Sequence, residues 1–320
     1  MDIIGKRKIF FIFSGALVAL SLFGFLVWGL PLGIDFTGGS LMEVEYSKIR
    51  PSIADVKEKI SDLDLGDILI QQIGDQGMLL RFKSVSEDTH QEILNRLKEN
   101  GKAERLVIPE GTNVADEVLV NPDGAGGNEV QEKRFNSIGP VIGQELKQKT
   151  YYAIFIALFI IVGFIAWAFR KISDPVSSWK YGIIAIIALF HDISITVGVF
   201  VFLGKFFHSE VNAPFVAALL TVLGYSVNDT IVIFDRIREN LKHHYGDFAE
   251  TVNKSVNQTL VRSVYASLTT LLVLLSLYFF GGETIKDFVL ALIIGIIVGT
   301  YSSIFLASPL LVVWEKIKRS

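Results

Sequence analysis

Six long apolar runs divide the chain. The first covers residues 9–30, and five more cover residues 151–169, 181–203, 213–234, 263–280 and 288–314. A run of about 20 apolar residues is long enough to cross the hydrocarbon core of a bilayer as a helix. The pattern therefore predicts six membrane-spanning helices, which places both ends of the chain on the same side of the membrane.

The first run has a second interpretation, a cleaved secretory signal peptide. The apolar region of such a peptide is shorter, about 7–15 residues, and a small-residue cleavage site follows it. Here the run is longer and ends in Trp28-Gly29-Leu30-Pro31 without an A-x-A pattern. We therefore interpret residues 1–30 as an uncleaved first membrane helix.

Residues 31–150 have the periodicity of a soluble α+β domain. Alternating apolar positions predict strands at residues 41–46, 67–73, 78–82, 105–108 and 130–135, with a hairpin turn at 74–77. Helices are predicted at residues 51–63, with Pro51 in the first turn, and at residues 86–100, with Ser86 as the cap. The order β-α-β-β-α-β predicts a ferredoxin-like fold. Residues 110–128, which include a glycine-rich stretch, are predicted to form a loop.

Lys and Arg residues in the short connections indicate the orientation. One side of the predicted helices collects Lys6, Arg7, Lys8, Arg170, Lys171, Lys180, Arg236, Arg238, Lys242, Lys254, Lys316, Lys318 and Arg319. The other short loops contain only Lys205 and Lys286. We therefore predict cytoplasmic termini, an extracytoplasmic domain at residues 31–150, and the five remaining helices of the bundle at residues 151–320.

Composition narrows the classes of function. Hydrophobic residues make up 51% of the 320 residues, and the formal net charge of −3 gives no reason to expect nucleic-acid binding. The absence of cysteine excludes disulfides, thiol catalysis and cysteine metal sites. Residues 31–150 lack clustered catalytic residue types, so we expect no active site there. We also expect neither a cofactor nor a metal ion.

Polar residues interrupt two of the apolar runs and directly precede a third. Asn228 and Asp229 lie inside the fourth run, His191-Asp192 lies inside the third, and Arg262 precedes the fifth. A charged residue at the centre of a membrane helix costs about 2.5–3.5 kcal/mol, so such residues usually face a partner or a water-filled cavity. We predict that these three helices share one polar site, with Asp229 and Arg262 at similar depth.

The predicted site is suited to handling protons. Burial favours the neutral form of a carboxyl group, whereas a nearby guanidinium favours the charged form. If that balance changes with conformation, Asp229 can bind a proton on one side of the membrane and release it on the other. One charge crossing 100 mV yields about 2.3 kcal/mol. Tyr225 lies one helical turn before Asp229, on the same stripe, and belongs to the predicted site.

The remaining polar positions have structural interpretations. Asp235 is interpreted as a helix-end charge that pairs with Arg236 or Arg238. Hydroxyl groups in membrane helices usually bond to their own backbone or to a neighbouring helix, so they are interpreted as packing groups. Those of the fifth run recur at helical spacing and could line a polar seam: Ser263, Ser267 and Thr270. Four-residue spacing in the sixth run predicts close helix packing at Gly295, Gly299 and Ser303.

A glycine-rich turn follows the first helix, with the sequence Gly33-Ile34-Asp35-Phe36-Thr37-Gly38-Gly39. A phosphate-binding loop would need a preceding strand and a following Lys-Ser/Thr pair, and neither is present. We interpret the segment as the turn by which the chain leaves the membrane and enters the domain.

Taken together, these motifs resemble the SecD/SecF family of protein-export membrane proteins, which is related to the resistance-nodulation-division (RND) transporters. The resemblance rests on the turn at residues 33–39, His191-Asp192, residues 225–236 and residues 257–262, and it extends over almost the whole chain. The family's membrane carboxylate and arginine match Asp229 and Arg262, and the aspartate of its His-Asp pair matches Asp192.

This resemblance implies a subunit of the Sec machinery of the bacterial inner membrane. Such a subunit works with SecD and uses the proton-motive force to assist late-stage preprotein translocation, after SecA and SecYEG have begun it. The expected partners are SecD, the SecYEG translocon, YajC, YidC, the translocating preprotein and membrane lipid. A half that resembles SecD is not present in this sequence.

Three other functions remain open at this point. One is a proton-coupled small-molecule efflux transporter of the RND type. Such pumps usually carry two six-helix halves with large domains, whereas this chain has one half and a domain of about 120 residues. Another is an intramembrane aspartyl protease that uses Asp192 and Asp229, which would need carboxyl groups close enough to share a proton. The third is a purely structural scaffold.

Overall fold

The computed structural model describes residues 1–98, 129–168, 178–207, 209–243 and 247–319. The predicted strand at residues 105–108, the predicted loop at residues 110–128, and the basic residues Arg170 and Lys171 lie outside these ranges. The chain divides into two compact units. One consists of Met1–Gly33 with Gln148–Ser320, and the other consists of Ile34–Lys147.

Six helical spans in the described part of the chain are long and apolar enough to cross a membrane, as the apolar runs predict. They are α1 (Arg7–Trp28), α5 (Pro140–Ala168), α6 (Ser178–Phe207), α7 (Ala213–His243), α8 (Phe248–Phe280) and a final span that starts with α9 (Glu283–Ser302). A π-helical turn, Ser303–Ala307, joins α9 to α10 (Ser308–Arg319) and completes this last span.

Two features of these helices differ from the sequence prediction. Helix α5 begins at Pro140, well before the apolar run at residue 151, and proline is favourable at a first helical position because it has no N–H to satisfy. The last apolar run is not one uniform helix, because the π-helical turn inserts an extra residue into it. The periodicity of an apolar run does not reveal such an insertion.

The membrane unit has an interior and a periphery. Helices α6 and α7 and the last span are each more than half buried in their apolar part, whereas α1, α5 and α8 are mostly exposed. The interior is apolar where α6 meets α7, for example at Tyr181 and Phe234, whose rings lie 5.2 Å apart. The polar residues of the predicted site therefore have to be accommodated within a closely packed three-span core.

The second unit is the predicted ferredoxin-like domain. Its strands are β1 (Gly39–Tyr46), β2 (Leu69–Ile73), β3 (Gly77–Phe82) and β4 (Val130–Ile138), in the spatial order β2-β3-β1-β4 with antiparallel neighbours. Helices α3 (Ile53–Lys59) and α4 (Glu87–Lys98) are the two crossovers of the β-α-β-β-α-β order. The structure confirms the predicted fold class.

Local details of the domain differ by a few residues from the prediction. Ser52, rather than a residue before Pro51, is the N-cap of α3: its Oγ accepts a hydrogen bond from the Asp55 amide at 3.2 Å. Pro51 therefore precedes the helix instead of lying in its first turn. The cap predicted at Ser86 is confirmed, because the Thr89 amide donates to Ser86 Oγ at 3.4 Å.

The glycine-rich turn brings the start of the sheet close to the start of α5. Before the turn, the Gly33 amide donates to the Val211 carbonyl at 2.7 Å. A one-turn helix, α2 (Ile34–Thr37), contains Asp35 and leads to Gly38 and Gly39, which have φ angles of 72° and 119°. A Cβ atom on Gly38 would lie 2.9 Å from the Cα of Pro140. Both the backbone conformation and the space therefore require glycine here.

We expect Gly38→Ala to lower the free energy of unfolding by about 1–3 kcal/mol, because alanine is strained at positive φ and its methyl group would collide with Pro140. The measurement is the thermal unfolding of the purified full-length chain in detergent. Gly139→Ala is the matched control, since a Cβ atom at this neighbouring glycine meets no atom within 4 Å. Equal unfolding temperatures for the two variants would contradict the prediction.

Candidate functional site

Among the described residues of the membrane unit, two buried carboxyl groups lie on the core helices α6 and α7, and a third, Glu315, lies on α10. Asp192 on α6 is fully buried, and Asp229 on α7 is 9% exposed. A carboxyl group at such a position needs hydrogen-bond partners, because leaving it unsatisfied in an apolar interior costs several kcal/mol. The neighbouring helices supply those partners almost entirely as hydroxyl groups.

Asp192 is held by three side chains. Its Oδ2 atom accepts hydrogen bonds from Ser226 Oγ on α7 at 2.5 Å and from Ser302 Oγ at the end of α9 at 2.9 Å. Its Oδ1 atom lies 2.9 Å from Nδ1 of His191. The other ring nitrogen of His191 is buried and has no hydrogen-bond partner among the described residues. Among the described residues, His191 therefore forms a hydrogen bond through Nδ1 to Asp192 and none through Nε2.

Asp229 is held by one hydroxyl group on each oxygen. Its Oδ1 atom accepts a hydrogen bond from Ser263 Oγ on α8 at 2.5 Å. Its Oδ2 atom accepts a short hydrogen bond from Ser303 Oγ, the first residue of the π-helical turn. Three separate helical spans thus meet at this one carboxyl group.

Small residues let α7 and α9 approach closely enough for these contacts. A Cβ atom on Gly295 would lie 2.3 Å from Cγ2 of Val222, and one on Gly299 would lie 3.0 Å from Cβ of Ser226. The close packing predicted from the four-residue spacing is confirmed at both glycines. Ser303, the third member of that pattern, has a different role, because its side chain binds the carboxyl group of Asp229.

A second layer of hydroxyl groups extends from this site along α8. Tyr225 donates through its phenol O–H to Ser267 Oγ at 3.3 Å, and Ser267 Oγ lies 2.5 Å from Thr300 Oγ1 on α9. Ser267 is also within 3.0 Å of the Ser263 carbonyl, one turn away. The structure therefore places Tyr225 next to the hydroxyl groups of the site rather than against a carboxyl group.

The structure does not bring Arg262 or Asn228 into contact with the buried carboxyl groups. Both residues are exposed, and within the described ranges Arg262 forms no ion pair with Asp229. The buried side of α8 includes Ser255, Thr259, Ser263 and Ser267, at a spacing of four residues. Arg262 is one position off this stripe, and one residue rotates a helix by about 100°. The predicted polar site therefore contains Asp229 and Asp192 in this arrangement, whereas Arg262 lies outside it.

Asp235 lies outside the site, as predicted. Its carboxyl group is exposed and its Oδ1 atom is 3.6 Å from Nη1 of Arg238, one turn along α7. Arg236 instead donates to Glu239 at 2.6 Å and to Gln258 at 2.7 Å. These contacts are charged and polar interactions at the helix end.

Sequence reasoning missed the serines that complete the site. Ser226 and Ser302 were not singled out, and Ser263 was assigned to packing, although all three donate to buried carboxyl groups. One signal was available: Ser302 and Ser303 are adjacent hydroxyl residues within a long apolar run. Their partners could not be inferred without the π-helical turn that determines their directions.

The arrangement has consequences for chemistry. Separate serines bind Asp192 and Asp229, and the described residues include no hydrogen bond between the two carboxyl groups, which a proteolytic dyad would need. Within the same ranges, no three His, Cys, Asp or Glu side chains are grouped closely enough to hold a metal ion.

Six membrane-crossing spans, a small domain after the first, and ionisable groups in the core define a multi-pass membrane protein with an internal polar site. The family described as protein export membrane protein SecD/SecF, C-terminal, matches residues 123–317, and the SecD/SecF GG motif matches residues 23–48. The chain belongs to the SecD/SecF family of protein-export membrane proteins of the bacterial inner membrane.

Relatives support this assignment over nearly the whole chain. The protein translocase subunit SecF of Thermobaculum terrenum is 44% identical, with 98% of this chain and 94% of the relative covered. The same subunit of Anaerolinea thermophila is 36% identical at the same coverage. That of Desulfurispirillum indicum is 39% identical and covers 94% of this chain and 88% of the relative.

Two solved structures are similar in fold. The crystal structure of SecDF, a translocon-associated membrane protein from Thermus thermophilus, is 31% identical and matches with a TM-score of 0.78 over 99% of this chain. SecDF in its super-membrane-facing form matches with a TM-score of 0.64 over 100% of this chain, also at 31% identity. In both cases the chain spans 39% of the length of the SecDF chain.

We expect Gly295→Ala to destabilise the chain by about 1–3 kcal/mol, because the added methyl group would force α9 away from Val222 on α7. Thermal unfolding of the full-length chain in detergent measures the effect. Gly15→Ala on α1 is the control, since a Cβ atom there meets no other atom within 4 Å. The prediction is wrong if both variants unfold at the wild-type temperature.

Proposed function

We propose that this chain is a SecF-type transport subunit that works with SecD and uses the proton-motive force to assist late-stage preprotein translocation. The main observation that supports this proposal is the pair of buried carboxyl groups, Asp192 and Asp229, in the core of the membrane unit. Ionisable groups at such depth are rare, and they mark proton and ion pathways in membrane proteins. The role of the chain is to convert proton movement into motion rather than to catalyse a covalent reaction.

Asp229 is the proposed proton-binding residue. Helices α7 and α8 and the last span all meet at this carboxyl group, since Ser263 and Ser303 donate to its two oxygens. A change in its charge therefore acts on three helices at once. Asp192 is the second carboxyl group of the proposed pathway, and Tyr225 belongs to the surrounding hydroxyl layer.

Arg262 and Asn228 are proposed to act from the exposed side of the site. Arg262 directly precedes Ser263, so a rotation of α8 by about 100° would exchange a hydroxyl group for a guanidinium near Asp229. The exposed faces of α1, α5 and α8 offer SecD a large apolar surface within the membrane. Hydrogen-bond switching at Asp229 would then depend on the arrangement of both subunits.

The domain is proposed to lie on the extracytoplasmic side, with both termini in the cytoplasm. The excess of Lys and Arg in the connections on the terminal side supports this orientation. The domain is proposed to act on the preprotein there.

The proposed assembly includes the SecYEG translocon as the source of the preprotein, with YajC and YidC as further neighbours in the membrane. SecD is the partner supported most directly, because the chain matches one part of a larger SecDF chain. A translocase subunit is favoured over a small-molecule efflux pump, since the three SecF relatives are translocase subunits.

We expect Asp229→Asn to abolish proton-dependent export, because the amide cannot gain or lose a proton at this position. The measurement is preprotein translocation by membrane vesicles with and without a proton-motive force, together with recovery of the complex with SecD. Asp235→Asn is the matched control on the same helix, because Asp235 is exposed and lies outside the site. Wild-type export by Asp229→Asn would rule the function out.

A further inference from the structure

Two consecutive residues bind two different carboxyl groups. Ser302, the last residue of α9, donates to Asp192 Oδ2 on α6, and Ser303, the first residue of the π-helical turn, donates to Asp229 Oδ2 on α7. Both serines are fully buried. A single peptide unit therefore connects hydrogen-bond partners of carboxyl groups that belong to different helices.

Each of these hydroxyl groups also has a second acceptor within reach. Ser302 Oγ is 3.1 Å from the Gly299 carbonyl, and Ser303 Oγ is 3.0 Å from the Thr300 carbonyl. A hydroxyl group carries one hydrogen and two lone pairs, so it cannot donate fully to both acceptors. The charge on the carboxyl group decides between them, because a hydrogen bond to a charged acceptor is the stronger one.

The direction of the hydrogen bond can therefore reverse while the heavy atoms stay in place. While Asp229 is charged, Ser303 donates to it. After Asp229 has gained a proton, its own O–H can donate to Ser303 Oγ, and the serine hydrogen turns to the Thr300 carbonyl. The same exchange is available to Ser302 between Asp192 and the Gly299 carbonyl. No proton is lost or created, since the added proton stays on the carboxyl group.

The carbonyl acceptors belong to the last α-helical turn before the π-helical turn. The Gly299 carbonyl already accepts a hydrogen bond from the Ser303 amide, so a donating Ser302 hydroxyl competes with the helix backbone there. Side-chain donation of this kind bends helices. Ser308 Oγ donates to the Ser303 carbonyl at 3.0 Å and satisfies a backbone group of the π-helical turn. The charges on both carboxyl groups thus act on one short segment of backbone.

We propose that Ser302 and Ser303 are positioning residues that couple the protonation of Asp192 to the protonation of Asp229 through the π-helical turn. This inference rests on the proposed function of Asp229 as a proton-binding residue, and it adds the route by which the second carboxyl group responds. When Ser302 and Ser303 are altered, Ser226 still donates to Asp192 and Ser263 still donates to Asp229. The serine variants therefore retain part of the site.

Titratable groups on the packed helices have to be kept unchanged in the test. His191 on α6 contacts Asp192, Tyr301 on α9 stacks on His191, Tyr225 on α7 donates to Ser267, Arg262 on α8 is exposed, and Glu315 on α10 is buried. Helix α1 carries titratable side chains only in its first two residues, Arg7 and Lys8. None of these groups is removed by the serine substitutions.

The experiment measures coupling between the two carboxyl groups in the full-length chain reconstituted with SecD. Infrared difference spectra follow the C=O band of protonated Asp229 as the pH is changed, and Asp229→Asn identifies that band. Asp192→Asn removes the other partner. With Ser302 and Ser303 present, we expect Asp192→Asn to shift the titration midpoint of Asp229 by at least about 0.7 pH unit, which is about a fivefold change in proton affinity.

In the double variant Ser302→Ala/Ser303→Ala, the same Asp192→Asn substitution is expected to leave the titration midpoint of Asp229 in place. The variant Ser302→Thr/Ser303→Thr retains both hydroxyl groups and is expected to restore the shift. Ser276→Ala is the matched control on α8, because Ser276 is exposed and bonds only to the Leu272 carbonyl among the described residues. A general loss of packing would not be reversed by threonine.

An unchanged shift in the double alanine variant would overturn the inference, as would the absence of any shift with both serines present. If the alanine variant fails to fold, the threonine variant is the test. The inference then requires that this variant folds and that Asp192→Asn shifts its Asp229 titration midpoint as in the wild type. The export assay separates the two proposals. Normal export by Asp229→Asn removes the proposed function, whereas blocked export by Asp229→Asn with an unchanged shift in the alanine variant removes only this inference.

Discussion

The membrane unit is organised around the need to satisfy a carboxyl group in an apolar interior. Polar groups in an apolar interior need hydrogen-bond partners, and Ser263 and Ser303 on neighbouring helices donate to the two oxygens of Asp229. Serine suits this task because its hydroxyl group can donate to a charged carboxylate and accept from a neutral one. The same hydroxyl groups can therefore bond to either protonation state of Asp229, as the proposed function requires.

This requirement explains the small residues of α9. A hydroxyl group on a short side chain reaches a neighbouring helix only when the two backbones come close, and Gly295 and Gly299 allow that approach to α7. The π-helical turn then directs Ser302 and Ser303 towards different helices. The close packing of the last span and the hydrogen bonds to the two carboxyl groups therefore depend on each other. A substitution that separates the helices is expected to weaken these hydrogen bonds as well.

Sequence patterns predicted the larger elements because those depend on many residues at once. The six apolar runs and the strands of the domain are each predicted from a whole segment rather than from one residue, and the structure confirms both. The buried positions of Asp192 and Asp229 followed from the cost of a charge in an apolar run. Whether Arg262 faces the core could not be predicted, because consecutive side chains on a helix point in directions about 100° apart. The π-helical turn was missed for the same reason, since it changes direction without changing composition.

The position of Arg262, one residue off the buried stripe, bears on the proposed function. A buried ion pair between Arg262 and Asp229 would favour the charged form of the carboxyl group, and removing one partner from such a pair costs about 3–5 kcal/mol. Ser263 occupies the inward position instead and donates to Asp229, while the adjacent Arg262 is exposed. This arrangement is consistent with the proposed proton coupling, because a carboxyl group held in one charge state could not complete a cycle of proton binding and release.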